Sequence, residues 1–186
     1  MDLIDFFLKS RDAQRALKEA RSRLYRVAYA WCHNPALADD LVQEALTKAL
    51  KHSSQLRDPK ARDAWLFTIL ANCYRDHFRK QRDMDDIDEL EISDDVTPET
   101  QTGQAQVVEK VREAIAQLPA GQRQVVTLVD LEGFSYVEVA QILEVPIGTV
   151  MSRLCRARNA MKTLLMAEFQ KSASNAIGRS SLRRVK

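Results

Sequence analysis

The 186-residue chain has 45% hydrophobic and 29% charged residues and a formal net charge of +2. This length allows one medium domain or two small ones, and the small number of Gly and Pro residues favours a mostly helical protein. No apolar run approaches the roughly 18 residues of a membrane span, and the N-terminal MDLIDFFLKS is too short and too acidic at its start for a secretory signal. We therefore expect a soluble, cytoplasmic protein without direct membrane insertion.

The first block of the chain, from Arg11 to about Arg82, has the pattern of helices. Asn34-Pro35 is a typical helix start, because a capping residue is followed by proline at the first helical position. Asp58-Pro59 predicts another start, and the helix behind it is apolar on nearly every side, which indicates burial. The apolar residues at helical period are Leu37, Leu41, Val42, Ala45, Leu46, Ala49 and Leu50 in the former helix, and Trp65, Leu66, Phe67, Ile69, Leu70, Cys73, Tyr74 and Phe78 in the latter.

Charge is distributed unevenly along the chain. Residues 83–104 contain nine acidic residues and no Lys or Arg, which leaves 28 basic against 17 acidic residues, or +11, elsewhere. A basic body with an acidic insert suggests a polyanion partner and a segment able to compete with it. The insert has no sustained period, so we predict a flexible linker over 84–104 between domains at 1–83 and 105–170. Residues 171–186 are predicted to form a disordered basic tail.

The second block predicts a helix-turn-helix. An amphipathic stripe that Pro119 ends is followed by a short helix that stops near Gly133. In the next segment Ser135 and Glu138 have the spacing of a capping box, which starts a short helix at Tyr136. The chain then turns through residues 144–146 into the segment IGTVMSRLCRAR. Two helices joined by such a turn are typical of a helix-turn-helix.

In this motif the second helix enters the DNA major groove. Arginine can bond guanine bidentately, and Thr and Ser can bond phosphates or base edges. The residues of the buried stripe are Val150, Leu154, Ala157 and Met161, which leaves Thr149, Ser152, Arg153 and Arg156 outward. Arg158 lies far enough along the helix to contact a phosphate at most. The alternative is the solvated face of an ordinary core helix.

Residues 118–161 resemble the C-terminal domain of extracytoplasmic-function sigma factors, which are small members of the sigma-70 family. The matching motifs are Leu118-Pro119, Gln122-Arg123, Glu132 to Ala140, and Gly148 to Arg158. Glu144 departs from the family pattern, since many relatives carry glycine or another residue tolerant of positive φ there. Residues 24–50 and 63–82 resemble the N-terminal domain of the same family. The resemblance implies an all-α fold of two small helical domains, the second of which reads the −35 element.

The same resemblance implies where the partners bind. A polar face on the helix after Pro35 is expected to meet the basic coiled coil of the polymerase β′ subunit, with the β flap as a further contact. The following helix is expected to open and read the −10 element, with an amide that contacts the flipped base and a basic stripe that suits phosphates. The polymerase set is Asp40, Gln43, Glu44 and Thr47; the −10 set is Asn72, Tyr74, Arg75, Arg79 and Arg82; the −35 set is Thr149, Ser152, Arg153, Arg156 and Arg158.

Each assignment has a plainer alternative. The alternative for the polar face of the helix after Pro35 is a surface that only contacts solvent. The alternative for Asn72 is a buried amide whose hydrogen bonds are satisfied within the protein. Trp65 and Phe67 fit core packing better than base stacking. For Tyr74 the sequence favours neither core packing nor base stacking. The acidic linker is either a nucleic-acid mimic inside the polymerase or a plain tether, and the tail adds at most non-specific DNA affinity.

The sequence contains no catalytic triad, paired carboxylates, phosphate-binding glycine loop or metal-ligand set, so we expect neither an enzyme nor a cofactor. Cys32, Cys73 and Cys155 are expected to be buried free thiols. We predict a dissociable initiation factor that binds core RNA polymerase and promoter DNA, with an anti-sigma factor as the regulator that the family usually has. Two alternatives stay open: a two-domain DNA-binding regulator that does not initiate transcription, and a decoy that only binds anti-sigma factors.

Overall fold

The computed structural model of the chain describes residues 11–53, 56, 58–84 and 103–181. Over these ranges the protein is all-α, as predicted, and has no strand. None of the helices in these ranges combines the length and the apolarity needed to cross a membrane. The helices are α1 (Arg11–Cys32), α2 (Pro35–Lys51), α3 (Arg62–Met84), α4 (Gly103–Ala116), α5 (Ala120–Val126), α6 (Tyr136–Leu143) and α7 (Ile147–Ser181).

The predicted starts of α2 and α3 are confirmed. The Asn34 side chain accepts a hydrogen bond from the Leu37 amide at 3.0 Å, and Pro35 occupies the first helical position. At the second start, the Asp58 carboxylate accepts from the Lys60 amide at 2.9 Å, and a 3₁₀ turn at Pro59–Ala61 leads into α3. Local capping chemistry therefore sets the start of α2 and the start of the 3₁₀ turn that leads into α3.

The first domain consists of α1, α2 and α3, which pack pairwise around a shared core. Trp31 of α1 and Phe67 and Leu70 of α3 are all at most 2% exposed. Full burial of one such side chain contributes about 1.5–3 kcal/mol. Phe67 is therefore a core residue, as the plainer alternative held, whereas Trp65 is half-buried.

The second domain consists of α4 to α7. The short helix expected after Pro119 continues from α5 into a π-helical turn at Thr127–Leu131, which the sequence did not predict. Gly133 then adopts a φ of 78°, the left-handed conformation that glycine reaches without a steric penalty. Inside this domain Val125, Leu128 and Val139 pack with Val150 and Leu154 of α7.

The ends of the helices differ from the predicted domain boundaries. The segment 171–186 was predicted to be disordered, but α7 continues to Ser181, and residues 182–186 lie outside the described part of the chain. No proline lies within α7, so nothing of that kind stops the helix at residue 170. Most of the linker predicted over 84–104 lies at residues 85–102, outside the described part of the chain. The ends of the predicted linker belong to helices, since Met84 is the last residue of α3 and Gly103 is the first of α4.

The two domains contact each other directly. Helix α1 packs against α4, α5 and the π-helical turn, and α3 packs against α6. Buried residues of both domains form one continuous hydrophobic cluster. The sequence predicted two domains and a linker, and gave no sign of this packing.

Candidate nucleic-acid interface

The capping box that positions the helix-turn-helix is present. The Ser135 amide donates to the Glu138 carboxylate at 2.8 Å, and the Ser135 hydroxyl accepts from the Glu138 amide at 3.3 Å. The Ser135 hydroxyl also donates to that carboxylate at 2.7 Å. The hydrogen bonds from the Ser135 side chain and amide lower the pKa of Glu138. The start of α6 is therefore fixed by local chemistry, as the sequence predicted.

The turn between α6 and α7 is built on Glu144. This residue has φ 55° and ψ 47°, so a side chain occupies the left-handed position where glycine is favoured. The Val145 amide donates to the Ala140 carbonyl at 3.0 Å, and the Glu144 amide to the Gln141 carbonyl at 3.3 Å. These two bonds have the Schellman pattern. The departure noted in the sequence therefore leaves the turn geometry intact and places a carboxylate at the turn.

The predicted −35 residues all lie on α7, but they are unequally accessible. Ser152, Arg156 and Arg158 are exposed, whereas Thr149 and Arg153 are half-buried. The Arg153 guanidinium lies over Gly121 of α5, where a Cβ would come within 3.0 Å of the Arg153 Cζ atom. Arg153 therefore packs against its own domain instead of standing away from it, while the predicted stripe residues Val150 and Leu154 are buried.

Arg158 is already paired. Its Nε donates to Asp130 Oδ2 at 3.1 Å and its Nη2 to Asp130 Oδ1 at 2.5 Å, a bidentate contact to the π-helical turn. This hydrogen bonding with Asp130 raises the pKa of Arg158. The pair links α7 to the π-helical turn that continues α5.

Sequence reasoning missed part of the exposed face of α7. Met151 is 54% exposed, and Cys155 and Asn159 are also exposed. With Gly148 and Ser152 they lie opposite the buried stripe, as helical period requires for positions 148, 152, 155 and 159. Counting from Val150 around the helix would have found them.

The three cysteines differ in burial. The prediction of a buried thiol is wrong for Cys155, is confirmed for Cys73, and is only partly met by Cys32, which is half-buried.

The basic stripe predicted to bind −10 DNA runs along α3. Arg79 is exposed and pairs with Asp76 at 3.0 Å. Arg75 donates to Glu144 Oε2 at 3.0 Å and to the Leu143 carbonyl at 3.1 Å, both at the end of α6 in the other domain. The side chain of Arg82, in the last turn of α3, lies outside the described part of the structure.

The other two predicted −10 residues differ in accessibility. Asn72 is half-buried, and its Oδ1 atom is buried without a hydrogen-bond partner among the described residues. Tyr74 is only 9% exposed; its ring packs edge-on to Trp31 with centroids 5.3 Å apart, and its hydroxyl donates to the Trp31 carbonyl. In this conformation Tyr74 is a core residue and is not available to a base.

The polar face of α2 is exposed along its whole length. Asp40 has no ion-pair partner in the described ranges, whereas Glu44 pairs with Lys48 at 2.8 Å. The Thr47 hydroxyl donates to the Gln43 carbonyl at 2.7 Å. The opposite side of α2 carries the buried residues Ala38, Leu41, Val42, Ala45 and Ala49.

Buried polar groups join the two domains. The Trp31 indole N–H donates to the Thr127 hydroxyl oxygen at 2.7 Å, and both residues are 0% exposed. The Arg123 guanidinium donates to the Trp31 carbonyl at 2.6 Å and to the Ala116 and Leu118 carbonyls at 2.7 and 2.9 Å. A cation is favourable at the carboxyl end of a helix, and Arg123 lies at the ends of both α1 and α4. Burial lowers the pKa of Arg123.

A charged cluster lies on the same seam. Arg23 Nε donates to Glu132 Oε2 at 2.8 Å, and the Glu132 side chain is only 3% exposed. Arg23 also pairs with Asp63 and lies over the Phe67 ring, with Cζ 5.6 Å from the ring centroid. Burial works to lower the pKa of Arg23, but the hydrogen bonds with Glu132 and Asp63 raise it. The cluster thus ties α1 and α3 to Glu132, the residue that directly follows the π-helical turn of the other domain.

The second domain carries a helix-turn-helix, and the first carries a basic helix with Asn72 on it. This combination is typical of a two-domain DNA-binding protein that acts in transcription. Residues 17–84 match the family described as Sigma-70 region 2, and residues 108–161 match the one described as Sigma-70, region 4. The chain belongs to the sigma-70 family, among the extracytoplasmic-function (ECF) RNA polymerase sigma factors.

Similar proteins come from several bacteria. The chain is 38% identical over 137 residues to the ECF RNA polymerase sigma factor EcfG of Rhodopseudomonas palustris, which covers 73% of this chain and 75% of the relative. It is 32% identical to the ECF RNA polymerase sigma-E factor of Escherichia coli over 66% of this chain and 70% of the relative. Among solved structures it is similar to the sigma factor RpoE of Bartonella quintana, in complex with the anti-sigma factor NepR. That match has a TM-score of 0.73 and 32% identity, and it covers 84% of this chain and 98% of the other.

Proposed function

We propose that this sigma factor binds core RNA polymerase through α2, places α7 in the −35 major groove, and opens the −10 element with α3. The observation that supports the proposal is that the exposed face of α7 and the basic helix α3, which bears Asn72, lie on different domains of one chain. A helix-turn-helix alone would equally suit an operator-binding regulator. The second surface, with Asn72 on the same helix as Arg75 and Arg79, suits a protein that also captures an unpaired base.

The −10 step requires a receptor for a base that leaves the stack. Unstacking and unpairing a base costs a few kcal/mol, and a protein without ATP must recover this through contacts to the freed base. An amide offers a donor and an acceptor to a base edge. The Oδ1 atom of Asn72, which has no hydrogen-bond partner among the described residues, supports this role, because a base edge could supply the donor.

The polymerase contact is proposed for the face of Asp40, Gln43, Glu44 and Thr47. All four side chains are exposed on one side of α2 while the other side is buried, so a partner can cover the face without disturbing the core. The carboxylates suit the basic coiled coil of the β′ subunit, where charge complementarity sets register and association rate. The −35 domain would reach the β flap. The protein would accordingly work in the cytoplasm, where polymerase and chromosome meet.

An anti-sigma factor is the proposed regulator. The similar RpoE is described in complex with one, NepR. In this chain a cleft of about 510 Å³ opens on the domain seam, with Tyr25 and Tyr29 on the α1 side and Ile115 and Leu131 on the other. A partner seated there would touch both domains at once.

The proposal is tested by promoter opening. Core polymerase, the protein and a promoter fragment are combined, and permanganate reactivity of −10 thymines is measured. We expect reactivity only with both proteins present, and loss of reactivity with Asn72→Ala while −35 protection persists. Opening by Asn72→Ala at the level of the unaltered protein would contradict the role of the amide. A lack of opening by the unaltered protein would contradict the proposed function.

A further inference from the structure

The exposed surface of α7 carries a row of apolar residues to which the proposed function gives no role. Ile147, Met151 and Cys155 follow one another at four-residue intervals, so their side chains lie along one ridge of the helix. Ile147 is 46% exposed and Met151 is 54% exposed, and Cys155 is exposed as well. A free cysteine behaves as a small apolar side chain. We call these three residues the apolar ridge.

Two of the arginines expected to face DNA are engaged within the protein. The Arg153 guanidinium lies over a glycine of α5, and Arg158 forms a bidentate contact to Asp130. Arg156 is exposed, and its Nε donates to the Ser152 carbonyl of its own helix at 3.2 Å. Arg156 is therefore the arginine of this set that is most available to DNA. Much of the remaining outward surface of α7 belongs to the apolar ridge.

The apolar ridge begins where a base edge would come closest to the protein. In a helix-turn-helix the N-terminal part of the second helix contacts the bases. Ile147 is the first residue of α7, and Met151 lies one turn further along. Between them, a Cβ at Gly148 would meet no atom of the described residues within 4 Å beyond its chain neighbours and the helix backbone. The start of α7 is therefore open to a close approach of DNA.

The major groove offers one apolar group for such a ridge, the C5 methyl group of thymine. The same methyl group is present in 5-methylcytosine, whereas cytosine and uracil carry hydrogen at that position. Methionine is unbranched and polarizable, so it adapts its shape to a small apolar group. Four residues of helix rise by about 6 Å, which is close to two base-pair steps of about 3.4 Å each. Neighbouring members of the apolar ridge therefore have a spacing that suits bases two steps apart.

We propose that the apolar ridge is a receptor for pyrimidine C5 methyl groups, with Met151 in contact with a thymine of the −35 element. This inference rests on the proposed placement of α7 in the −35 major groove. Arg156 projects from the helix about 140° away from Met151, so a charged contact and an apolar contact lie on opposite sides of the groove-facing surface. Met151 is then a specificity-determining residue that recognises thymine without a hydrogen bond.

The test measures promoter binding by holoenzyme assembled from core polymerase and the full chain. Each thymine of the −35 element is replaced in turn by deoxyuridine, which removes the methyl group and keeps the base pair. We expect at least one replacement to weaken binding about threefold to fivefold, the effect of one methyl group withdrawn from an apolar contact. If a cytosine–guanine pair is placed at that position, 5-methylcytosine should bind more tightly than cytosine by the same factor.

Three variants connect this preference to Met151. Met151→Gln keeps the length of the side chain and makes its tip polar, so its holoenzyme should bind the thymine and deoxyuridine promoters equally. Met151→Leu keeps an apolar side chain of similar volume and should retain most of the preference for thymine. The matched control is Met166→Gln, because Met166 is a methionine of α7 that is 56% exposed but lies four turns beyond Met151. This control should retain the whole preference.

Three results would overturn the inference. The first is equal binding of thymine and deoxyuridine promoters by the unaltered holoenzyme, which needs no variant. The second is a preference for thymine that persists in Met151→Gln, and the third is a −35 element without any adenine–thymine pair. Failure of the unaltered protein to direct core polymerase to any promoter would instead contradict the proposed function, so the two failures are distinguishable.

Discussion

Replacing Arg123 with methionine is expected to destabilise the protein by about 3–4 kcal/mol. The guanidinium donates to three carbonyls, of Trp31, Ala116 and Leu118, at 2.6–2.9 Å. Methionine fills similar volume and donates nothing, so the Ala116 and Leu118 carbonyls lose their donor and the Trp31 carbonyl keeps only the Tyr74 hydroxyl, at 3.3 Å. Each unsatisfied group costs about 1–3 kcal/mol, and access of water to the more exposed carbonyls brings the sum towards the lower end. The loss of a cation at two helix ends adds to it.

Equilibrium unfolding in urea measures this change. With an m value of about 2 kcal/mol/M, the midpoint should fall by about 1.5–2 M. The urea midpoint of Arg123→Lys should lie between those of the unaltered protein and Arg123→Met. An ammonium keeps the positive charge but lacks the planar guanidinium that reaches several carbonyls. The control is Arg156→Met on the exposed face of α7, where the side chain donates to the Ser152 carbonyl of its own helix and to no other group among the described residues. We expect the control to lie within about 0.5 kcal/mol of the unaltered protein. A loss below about 1 kcal/mol for Arg123→Met would refute the reasoning.

Three further results are expected. Ser135→Ala should cost about 1 kcal/mol at pH 7 in thermal unfolding, because it removes the helix cap. The folded-state pKa of Glu138 is lowered, so the part of this cost that comes from the bond between the Ser135 hydroxyl and the Glu138 carboxylate is present above the unfolded pKa of about 4.3. This part is lost as pH falls through the folded value, and a cost that does not shrink in acid would contradict the reasoning. Asp40→Arg should abolish binding to core polymerase in a fluorescence titration without changing the melting temperature, whereas Glu19→Arg, the same charge reversal on α1, should bind normally. Arg158→Gln should leave the salt dependence of −35 binding nearly unchanged, since Asp130 already neutralises that guanidinium; a slope lower by about one would show that it contacts a phosphate.

The parts of the fold that local chemistry determines could be predicted from the sequence. The cap at Asn34, the capping box at Ser135 and the stop at Gly133 each depend on residues within a few positions of one another. The helical period likewise identified the buried stripe of α7. These features fix the element boundaries, and their order along the chain matched that of a known family.

The seam could not be predicted, because its partners are far apart in sequence. Trp31 and Thr127 are 96 residues apart, and Arg23 and Glu132 are 109 apart. Neither helical period nor capping spacing carries information about such pairs. The same limit explains the site residues that differ from expectation: Tyr74 is covered by Trp31 within the core, and Arg153 lies over Gly121 of a neighbouring helix. Periodicity gives the direction of a side chain from its own helix, but not what another element places there.

Run-off transcription with purified core polymerase on genomic promoter fragments tests the central claim most directly. The account predicts discrete transcripts that appear only when the protein is added, and that disappear with Asp40→Arg. If the protein binds DNA in the absence of core polymerase and no transcript appears when the polymerase is added, the protein is an operator-binding regulator instead. Absence of both transcripts and DNA binding would contradict the assignment of both surfaces.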